Sequence, residues 1–313
     1  MMVRIRKFEE QVAKLVTADR IHCPCHLYIG QEAVATGVCA ALKDNDWVFS
    51  THRSHGHYIA KGGNISSMMA ELFGKETGCC RGHGGSMHIA FPEKGLPGSS
   101  AIVAGTIPLA IGAGLAFSLQ KKDAVSVAFF GDGATNEGVF YESLNFAALH
   151  KLPVLFVCEN NLYSTHMPID QCLANTRICE VAGIFKIDST RVDGNNVLDV
   201  YNAARRGIEL IQEEKGPVFL ECMTYRWLGH VGPNDDIDNG LRSRAELDSW
   251  IARCPIEHFR KYLLKKGIMS ESEKNTIHES IDHEVSEALK YTESSPYPSP
   301  DNVDRHARVY KER

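Results

Sequence analysis

Two short apolar runs, each followed at once by polar residues, constrain the fold of this chain most strongly. The first is residues 125–130 (VSVAFF), which leads into Gly-Asp-Gly, and the second is residues 153–158 (PVLFVC), which leads into Glu-Asn-Asn. The segment between them, residues 137–150, has the pattern of a helix. Apolar strands joined by a helix predict parallel strands that are buried on both faces of a sheet.

The remaining periodicity extends this alternation of strands and helices. Further strands are predicted at residues 184–187 and 217–222, and helices at residues 4–18, 31–42, 66–73 (capped by a serine), 197–212, 256–266 and 271–289. Repeated glycines between residues 47 and 108 predict a long region of ordered loops.

These elements predict an α/β fold with a doubly wound, mainly parallel sheet and helical extensions at both ends of the chain. We expect one α/β domain over residues 1–265, which would carry the ligand site, and a helical C-terminal arm over residues 266–313. The length of 313 residues would also permit two ordinary domains.

Composition argues against several classes of partner. The net charge is -5 with both signs interspersed, so no basic surface for nucleic acid or an anionic membrane is expected. No apolar run approaches the roughly 20 residues that span a bilayer, and the amphipathic N-terminal segment differs from a secretory signal, which predicts a cytoplasmic protein. None of the ten cysteines forms a C-x-x-C pair, so we expect reduced thiols and no structural zinc.

The polar residues after the two apolar runs predict a ligand site. Parallel strands end at one edge of the sheet, so Asp132 and Asn161 would converge there if the strands are neighbours. A carboxylate and an amide oxygen suit Mg²⁺, which takes few protein ligands together with phosphate and water. Gly131 and Gly133 would let a diphosphate approach the backbone at the start of the next helix.

A turn with a helix cap would explain Gly-Asp-Gly equally well if that tripeptide stood alone. The Asn-Asn pair begins 28 residues after Asp132, at the end of the next apolar run. A turn does not require such a pair, so the spacing favours the ligand site.

Five motifs together carry a resemblance to a known family. The chain resembles the alpha subunits of the thiamine-diphosphate-dependent first component of 2-oxo acid (pyruvate-type) and acetoin dehydrogenases. The motifs are residues 26–32 (HLYIGQE), 81–88 (RGHGGSMH), 131–138 (GDGATNEG), 158–161 (CENN) and 224–230 (TYRWLGH). The resemblance implies an enzyme that decarboxylates a pyruvate-like substrate or cleaves acetoin and passes the acyl group to a lipoyl carrier.

The resemblance also implies which residues hold the cofactor. Asp132, Asn161 and the main-chain carbonyl of Tyr163 would bind Mg²⁺, and Gly133 and Ala134 would contact the diphosphate of thiamine diphosphate.

A second group of residues would contact the rest of the cofactor. His52 and Arg53 resemble the pair that grips the phosphates, a role that suits the planar fork of a guanidinium. The alternative for Arg53 is a surface or interdomain ion pair. Val103 matches a position that lines the slot for the thiazolium and pyrimidine rings, and Ala101 and Ala104 offer main-chain contacts there.

Histidines are the catalytic candidates. His26 and His230 resemble the histidines near the reacting end of the cofactor, where an imidazole can hold a carboxylate or move a proton. His55 is a further catalytic candidate, but for His55 and His57 a structural role is an equal alternative, because the chain has fourteen histidines.

The chain is too short to hold the second α/β domain that supplies the activating carboxylate in single-chain thiamine enzymes. The resemblance therefore implies a beta subunit, an alpha2-beta2 heterotetramer and a lipoyl acyltransferase component as partners. Val231 follows His230 where kinase-regulated relatives carry a serine, so that regulatory site is absent. For the loop over residues 231–244, with Arg242 and Arg244, a functional role and a solvated charge run both stay open.

Substrate choice stays open at this point. The stretch over residues 51–62 (THRSHGHYIAKG) favours the acetoin and bacterial pyruvate branches. The alternatives are a related carboligase-like enzyme that transfers the acyl group elsewhere, and a non-catalytic α/β protein that binds magnesium or a nucleotide.

Overall fold

A six-stranded parallel sheet forms the centre of the computed structural model, which describes residues 1–300. The strands in chain order are β1 Trp47–Ser50, β2 Gly98–Ser99, β3 Ser126–Gly131, β4 Val154–Asn160, β5 Tyr163–Ser164, β6 Met167–Pro168, β7 Asp188–Asp193 and β8 Val218–Met223. The sheet order is β2-β1-β3-β4-β8-β7, every pairing in it is parallel, and β5 pairs with β6 as a separate antiparallel hairpin. The predicted parallel sheet is confirmed.

Helices cover both faces of this sheet. They are α1 Met2–Thr17, α2 Glu32–Ala41, α3 His55–Ala60, α4 Ile65–Leu72, α5 Thr106–Leu119, α6 Gly138–Leu149, α7 Ile169–Cys172, α8 Ile178–Ile184, α9 Val197–Gln212, α10 Arg244–Ile251, α11 Pro255–Lys265 and α12 Glu271–Ser294. The two largest hydrophobic clusters flank the sheet: one contains residues of α1, α2, α4 and α9, and the second contains residues of α5, α6 and α8. This two-sided arrangement confirms the doubly wound α/β fold.

Strand β3 shows why its sequence is apolar throughout. Val127 and Phe129 lie in one core, whereas Ala128 and Phe130 lie in the other. All four side chains are buried. Because successive side chains of a strand point to opposite faces, a strand with helices on both sides needs apolar residues at every position.

Two local predictions were wrong. Residues 184–187 are not a strand, because Ile184 ends α8 and Lys186 takes a left-handed turn with φ 59° before β7 begins at Asp188. Strand β7 lies at the edge of the sheet and has the polar sequence DSTRVD, so it lacks the apolar run used to find strands. Helix α4 is capped by the side chain of Asn64, not by a serine.

The region between residues 47 and 108 holds more regular structure than its glycines indicate. It contains β1, β2, α3 and α4, and α5 begins at its end. The longest connection in it, between α4 and β2, carries the glycine-rich motif of residues 81–88. The prediction of ordered loops therefore holds for that connection and not for the whole region.

Helix α12 packs against the N-terminal part of the chain. Lys7 pairs with Asp282 at 3.0 Å, and Arg20 pairs with Glu293 at 2.7 Å. From these contacts we propose that the C-terminal arm packs against the α/β domain and is held there by ion pairs. The last residues of the predicted arm, 301–313, lie outside the described residues. Across the described part of the chain, none of the helices is both long and apolar enough to cross a bilayer.

One buried carboxylate orders the glycine-rich loop. Glu71, at the end of α4, is fully buried and accepts hydrogen bonds from four backbone N–H groups of the loop. Its Oε2 accepts from Cys80 (2.7 Å) and Gly82 (2.9 Å), and its Oε1 accepts from Gly84 (2.7 Å) and Gly85 (3.1 Å). Hydrogen bonds to an ionised acceptor are stronger than those between neutral groups.

We therefore expect Glu71→Gln to destabilise the fold. The amide keeps one acceptor oxygen and points an NH₂ group at two N–H donors, which should lower the free energy of unfolding by about 3 kcal/mol. Urea unfolding measures this change. The exposed Glu93 provides the matched control Glu93→Gln, which should leave the unfolding midpoint unchanged. Equal midpoints for both variants would refute the assigned role of Glu71.

Candidate functional site

A cavity opens beyond the carboxyl ends of β3 and β4. The register of the two strands places Gly131 beside Glu159, so the next residues of both strands meet at one edge of the sheet. The backbone nitrogen of Asn161 lies 3.4 Å from Oδ1 of Asp132. The predicted convergence of these two polar clusters is confirmed.

Most of the predicted site residues reach this cavity. Those that line it are His52, Arg53, Val103, Ala104, Asp132, Gly133, Ala134, Asn161, Tyr163 and His230. His26 lies directly behind the lining, with its ring 4.7 Å from that of His52. Ala101 and His55 do not belong to the lining.

Asp132 is a buried carboxylate, and one of its two oxygens lacks a hydrogen-bond partner among the described residues. Its side chain is 2% exposed, and Oδ2 has no hydrogen-bond partner within residues 1–300. Burial is the largest effect on this group and raises the pKa of Asp132 to about 6. An unpaired buried carboxylate is unfavourable, so the position is chemically suited to a bound cation.

The neighbouring amide and hairpin complete an oxygen-rich wall. The Nδ2 of Asn161 donates to Oε1 of Gln31 at 3.1 Å, and the backbone N–H of Tyr163 donates to Oδ1 of Asn161 at 3.3 Å. The hydroxyl of Tyr163 donates to Glu246 at 2.6 Å. The phenol ring is thus held by α10, while Tyr163 and Ser164 of β5 both line the cavity. The donor set is of the oxygen type that Mg²⁺ prefers.

The two glycines around Asp132 have different roles. A Cβ at Gly131 would meet nothing within 4 Å, which leaves space at the strand end for a ligand. A Cβ at Gly133 would lie 2.5 Å from Oγ of Ser164, so this glycine allows the β5 hairpin to approach. The chain after Gly131 forms a 3-10 turn over Asp132–Asn136, and α6 spans Gly138–Leu149, so the helix predicted over residues 137–150 is confirmed. The helix does not start directly after Gly133, as was expected for the diphosphate site.

Arg53 is a buried cation that holds three segments together. Its Nη1 donates to the carbonyl of Leu27 at 2.7 Å, and its Nη2 donates to the carbonyl of His230 at 3.2 Å. Burial first, and the charge of Arg226 second, lower the pKa of Arg53 to about 9, so the group stays charged at neutral pH. Backbone carbonyls, not a surface carboxylate, are its close partners.

Three histidines from separate segments meet at the cavity and form what we call the three-histidine cluster: His26, His52 and His230. Their ring centroids are 4.7, 5.0 and 5.3 Å apart. Burial, followed by the charge of Arg53, lowers the pKa of all three imidazoles. The pKa is about 4 for His26, about 2 for His52 and about 3 for His230. All three imidazoles are therefore neutral at physiological pH.

His55 has a different environment from the cluster. Its ring is fully buried, with Nδ1 2.9 Å from a carboxylate oxygen of Glu9 and Nε2 2.9 Å from the hydroxyl of Ser86. These contacts join α1, α3 and the glycine-rich loop. The geometry therefore favours the structural alternative for His55 over contact with a substrate. His57 is also fully buried.

The sequence reasoning missed two charged residues of the cavity. Arg226 is 2% exposed, its Nη2 donates to the carbonyl of Thr165 at 2.7 Å, and its Nη1 is buried without a partner in the described chain. Glu159 also lines the cavity and accepts a hydrogen bond from Tyr28. Both residues stand inside the motifs quoted above, but a motif alone does not reveal which charged side chain is buried.

Comparisons with known proteins agree on one family. A family model described as "Dehydrogenase E1 component" matches residues 1–301. The alpha subunit of acetoin:2,6-dichlorophenolindophenol oxidoreductase from Bacillus subtilis is 42% identical over 297 residues, which cover 95% of this chain and 88% of that protein. The pyruvate dehydrogenase E1 component subunit alpha from Zymomonas mobilis is 40% identical over 314 residues, which cover 99% and 87%. The chloroplastic pyruvate dehydrogenase E1 component subunit alpha-3 from Arabidopsis thaliana is 39% identical over 303 residues, which cover 95% and 70%.

The lowered pKa of His52 predicts a pH dependence of stability. The unfolded chain takes up a proton near pH 6.5, whereas the folded protein does so only near pH 2. The stabilisation is fully present above pH 6.5 and is lost as the pH falls, by up to about 1.4 kcal/mol per pH unit.

We expect the melting temperature of His52→Gln, measured without divalent cations, to fall less between pH 7 and pH 5 than that of the parent protein. The exposed His258 on α11 gives the control His258→Gln, which should keep the parental pH dependence. A parental pH dependence in His52→Gln would disprove this explanation.

Proposed function

The chain belongs to the dehydrogenase E1 component family, and on this basis we propose which residues bind the cofactor and which act on the substrate. It is an alpha subunit of the pyruvate and acetoin dehydrogenase kind, and the family is one of thiamine-diphosphate-dependent oxidoreductases. The reaction is the decarboxylation of a small 2-oxo acid or the cleavage of acetoin. We propose that the acyl group then passes to a lipoyl acyltransferase component.

We propose that Asp132, Asn161 and the main-chain carbonyl of Tyr163 hold Mg²⁺ in the cavity. The observation that carries this proposal is the buried Oδ2 of Asp132, which has no hydrogen-bond partner in residues 1–300, because a cation would supply that partner. Asn161 beside it adds an amide oxygen from the adjacent strand end. The remaining positions suit phosphate oxygens and water.

The diphosphate would lie against the main chain of Gly133 and Ala134. Arg53 supports this proposal because its buried guanidinium lines the same cavity, where it would offset the charge of the phosphates. Arg226 joins the proposed set, since its buried Nη1 has no partner of its own within the described chain. Val103, which lines the cavity and is 53% exposed, would contact the cofactor rings.

When bound, thiamine diphosphate supplies the carbon nucleophile for the carbonyl of the substrate. We propose that His52 contacts a phosphate and that His26 and His230 orient the substrate or move a proton at the reacting end. Their neutral state supports this role, because a neutral imidazole can accept a proton or donate its N–H group. We assign His55 a positioning role through Glu9 and Ser86, in place of the catalytic role expected from sequence.

A beta subunit is the partner of alpha subunits of this kind, and we propose an alpha2-beta2 heterotetramer in the cytoplasm. Large apolar side chains near the cavity and on α5 and α6 are exposed: Ile102 by 71%, Leu109 by 58%, Leu119 by 76% and Leu149 by 72%. Exposed apolar surface of this kind marks sites of protein association. We propose that the beta subunit covers part of this surface and supplies the carboxylate that activates the cofactor.

The proposed function predicts that the alpha chain is inactive alone. With its beta subunit, Mg²⁺ and thiamine diphosphate, it should reduce an artificial electron acceptor when pyruvate or acetoin is added. The two substrates, tested in parallel, distinguish the pyruvate from the acetoin alternative. Cofactor-dependent turnover by rigorously purified alpha chain would contradict the shared active site.

The magnesium proposal predicts a selective effect of Asp132→Asn. Cofactor binding in the presence of Mg²⁺ should weaken roughly 100-fold or more, since the amide removes the only carboxylate proposed as a metal ligand. The cofactor-free variant should unfold at the same temperature as the parent or higher, because the buried charge is gone.

Calorimetry of cofactor binding and thermal unfolding of the same samples measure both effects. The exposed Asp170 on α7 gives the control Asp170→Asn, which should bind the cofactor normally. Unchanged cofactor affinity in Asp132→Asn would remove this residue from the metal site.

A further inference from the structure

We propose that the three-histidine cluster binds a divalent transition metal ion of the zinc type, separately from the proposed magnesium site, and that this ion blocks the cavity. Binding of the ion does not depend on the function proposed above. Only its effect on turnover rests on that function.

The geometry of the cluster is that of an open metal site. The ligand nitrogens of His26, His52 and His230 all lie within 4.8 Å of one another. In a tetrahedral zinc site with Zn–N bonds of roughly 2.0 to 2.1 Å, neighbouring nitrogens lie about 3.4 Å apart. Side-chain rotations that close the remaining distance of up to about 1.4 Å would complete the site.

The positions of the three residues in the fold favour a stable site. His26 precedes α2, His52 follows β1 and His230 follows β8, so three separate segments supply one ligand each. The segments of His52 and His230 are joined by Arg53, whose backbone is next to His52 and whose Nη2 binds the carbonyl of His230. The ligands are thus held together before an ion arrives, which reduces the entropic cost of binding.

The chemistry of the ligands selects the ion. The Nδ1 of His26 is buried and has no hydrogen-bond partner in residues 1–300, so a bound ion would satisfy it. Burial keeps the imidazoles neutral, with a lone pair available. Imidazole ligands favour Zn²⁺, Co²⁺, Ni²⁺ and Cu²⁺, whereas Mg²⁺ prefers oxygen. The two cation sites would therefore differ in selectivity.

Charges around the cluster act in both directions. The guanidinium groups of Arg53 and Arg226 oppose a cation, whereas the carboxylates of Asp132 and Glu159 line the same cavity and favour it. Three protein ligands also leave a fourth position for water or a small carboxylate, which would lower the net charge. We therefore expect affinity in the micromolar range, with a dissociation constant of about 10 µM or less.

Occupation of the cluster has a direct consequence for the cavity. His52 and His230 both line it, so an ion that holds their rings together prevents them from contacting a phosphate or a substrate. The inhibition should be reversed by a chelator, because no covalent bond of the protein changes.

The binding test uses the tag-free complex of the full chain with its beta subunit after removal of metals. Co²⁺ is titrated into it and its visible absorption is recorded. We expect one Co²⁺ per alpha chain with the strong absorption of a four-coordinate site, unchanged by excess Mg²⁺ and abolished by Zn²⁺. Absorption that reports only octahedral, hydrated Co²⁺ would overturn the proposal.

Variants assign the signal to the cluster. His26→Gln should weaken Co²⁺ binding at least about tenfold, whereas His258→Gln, at an exposed histidine of α11, should bind Co²⁺ as the parent does. Equal affinity in His26→Gln and the parent would refute the site. If His26→Gln fails to fold, X-ray absorption at the zinc edge of the unmodified complex decides, since the proposal requires three imidazole ligands.

Turnover provides the last readout. Zn²⁺ should suppress reduction of the electron acceptor, and chelation should restore it. Undiminished turnover with the cluster occupied would refute the block of the cavity. A complex with no thiamine-dependent turnover in the absence of Zn²⁺ would count against the proposed function, while the Co²⁺ titration would still decide the metal site.

Discussion

The parallel pairing of β3 with β4 is the constraint on which the rest of this structure depends. Both strands are buried on both faces, so their sequences can become polar only where the strands end. The register places Gly131 beside Glu159, and the residues that follow, Asp132 and Asn161, share one edge. The sheet topology thus determines where the site lies, and the individual side chains determine its chemistry.

Burial then determines the electrostatics of the cavity. Asp132 and Arg53 are both almost fully buried. Burial raises the pKa of Asp132 and lowers the pKa of Arg53, and both shifts favour the uncharged form of the group. Hydrogen bonds to backbone carbonyls hold Arg53 and Arg226 in place, and within residues 1–300 neither guanidinium has a carboxylate partner at bonding distance. Charges fixed in this way before a ligand binds require little reorganisation when it arrives.

The sequence allowed a prediction of those features that local periodicity determines, and it failed where distant contacts decide. Helix α9 was predicted with its observed bounds, because its apolar residues recur along one face. Strand β7 was missed because an edge strand needs no apolar run. The convergence of Asp132 and Asn161 was predicted on the condition that their strands are neighbours, which the pairing of β3 with β4 meets. The direction of the His55 side chain, in contrast, depends on Glu9, 46 residues away. The burial of Arg226 likewise depends on packing that no local pattern reveals.

The ion pairs between α1 and α12 have a consequence for how the chain is made. Arg4 and Glu284 are separated by 280 residues, so this contact cannot form until residue 284 has left the ribosome. Until then, the surface of α1 that contacts α12 remains exposed to solvent while the sheet forms. Contacts of such long range close late and slow the overall folding rate. The pairing of α1 with α12 is then expected to be a late step in the folding of residues 1–300.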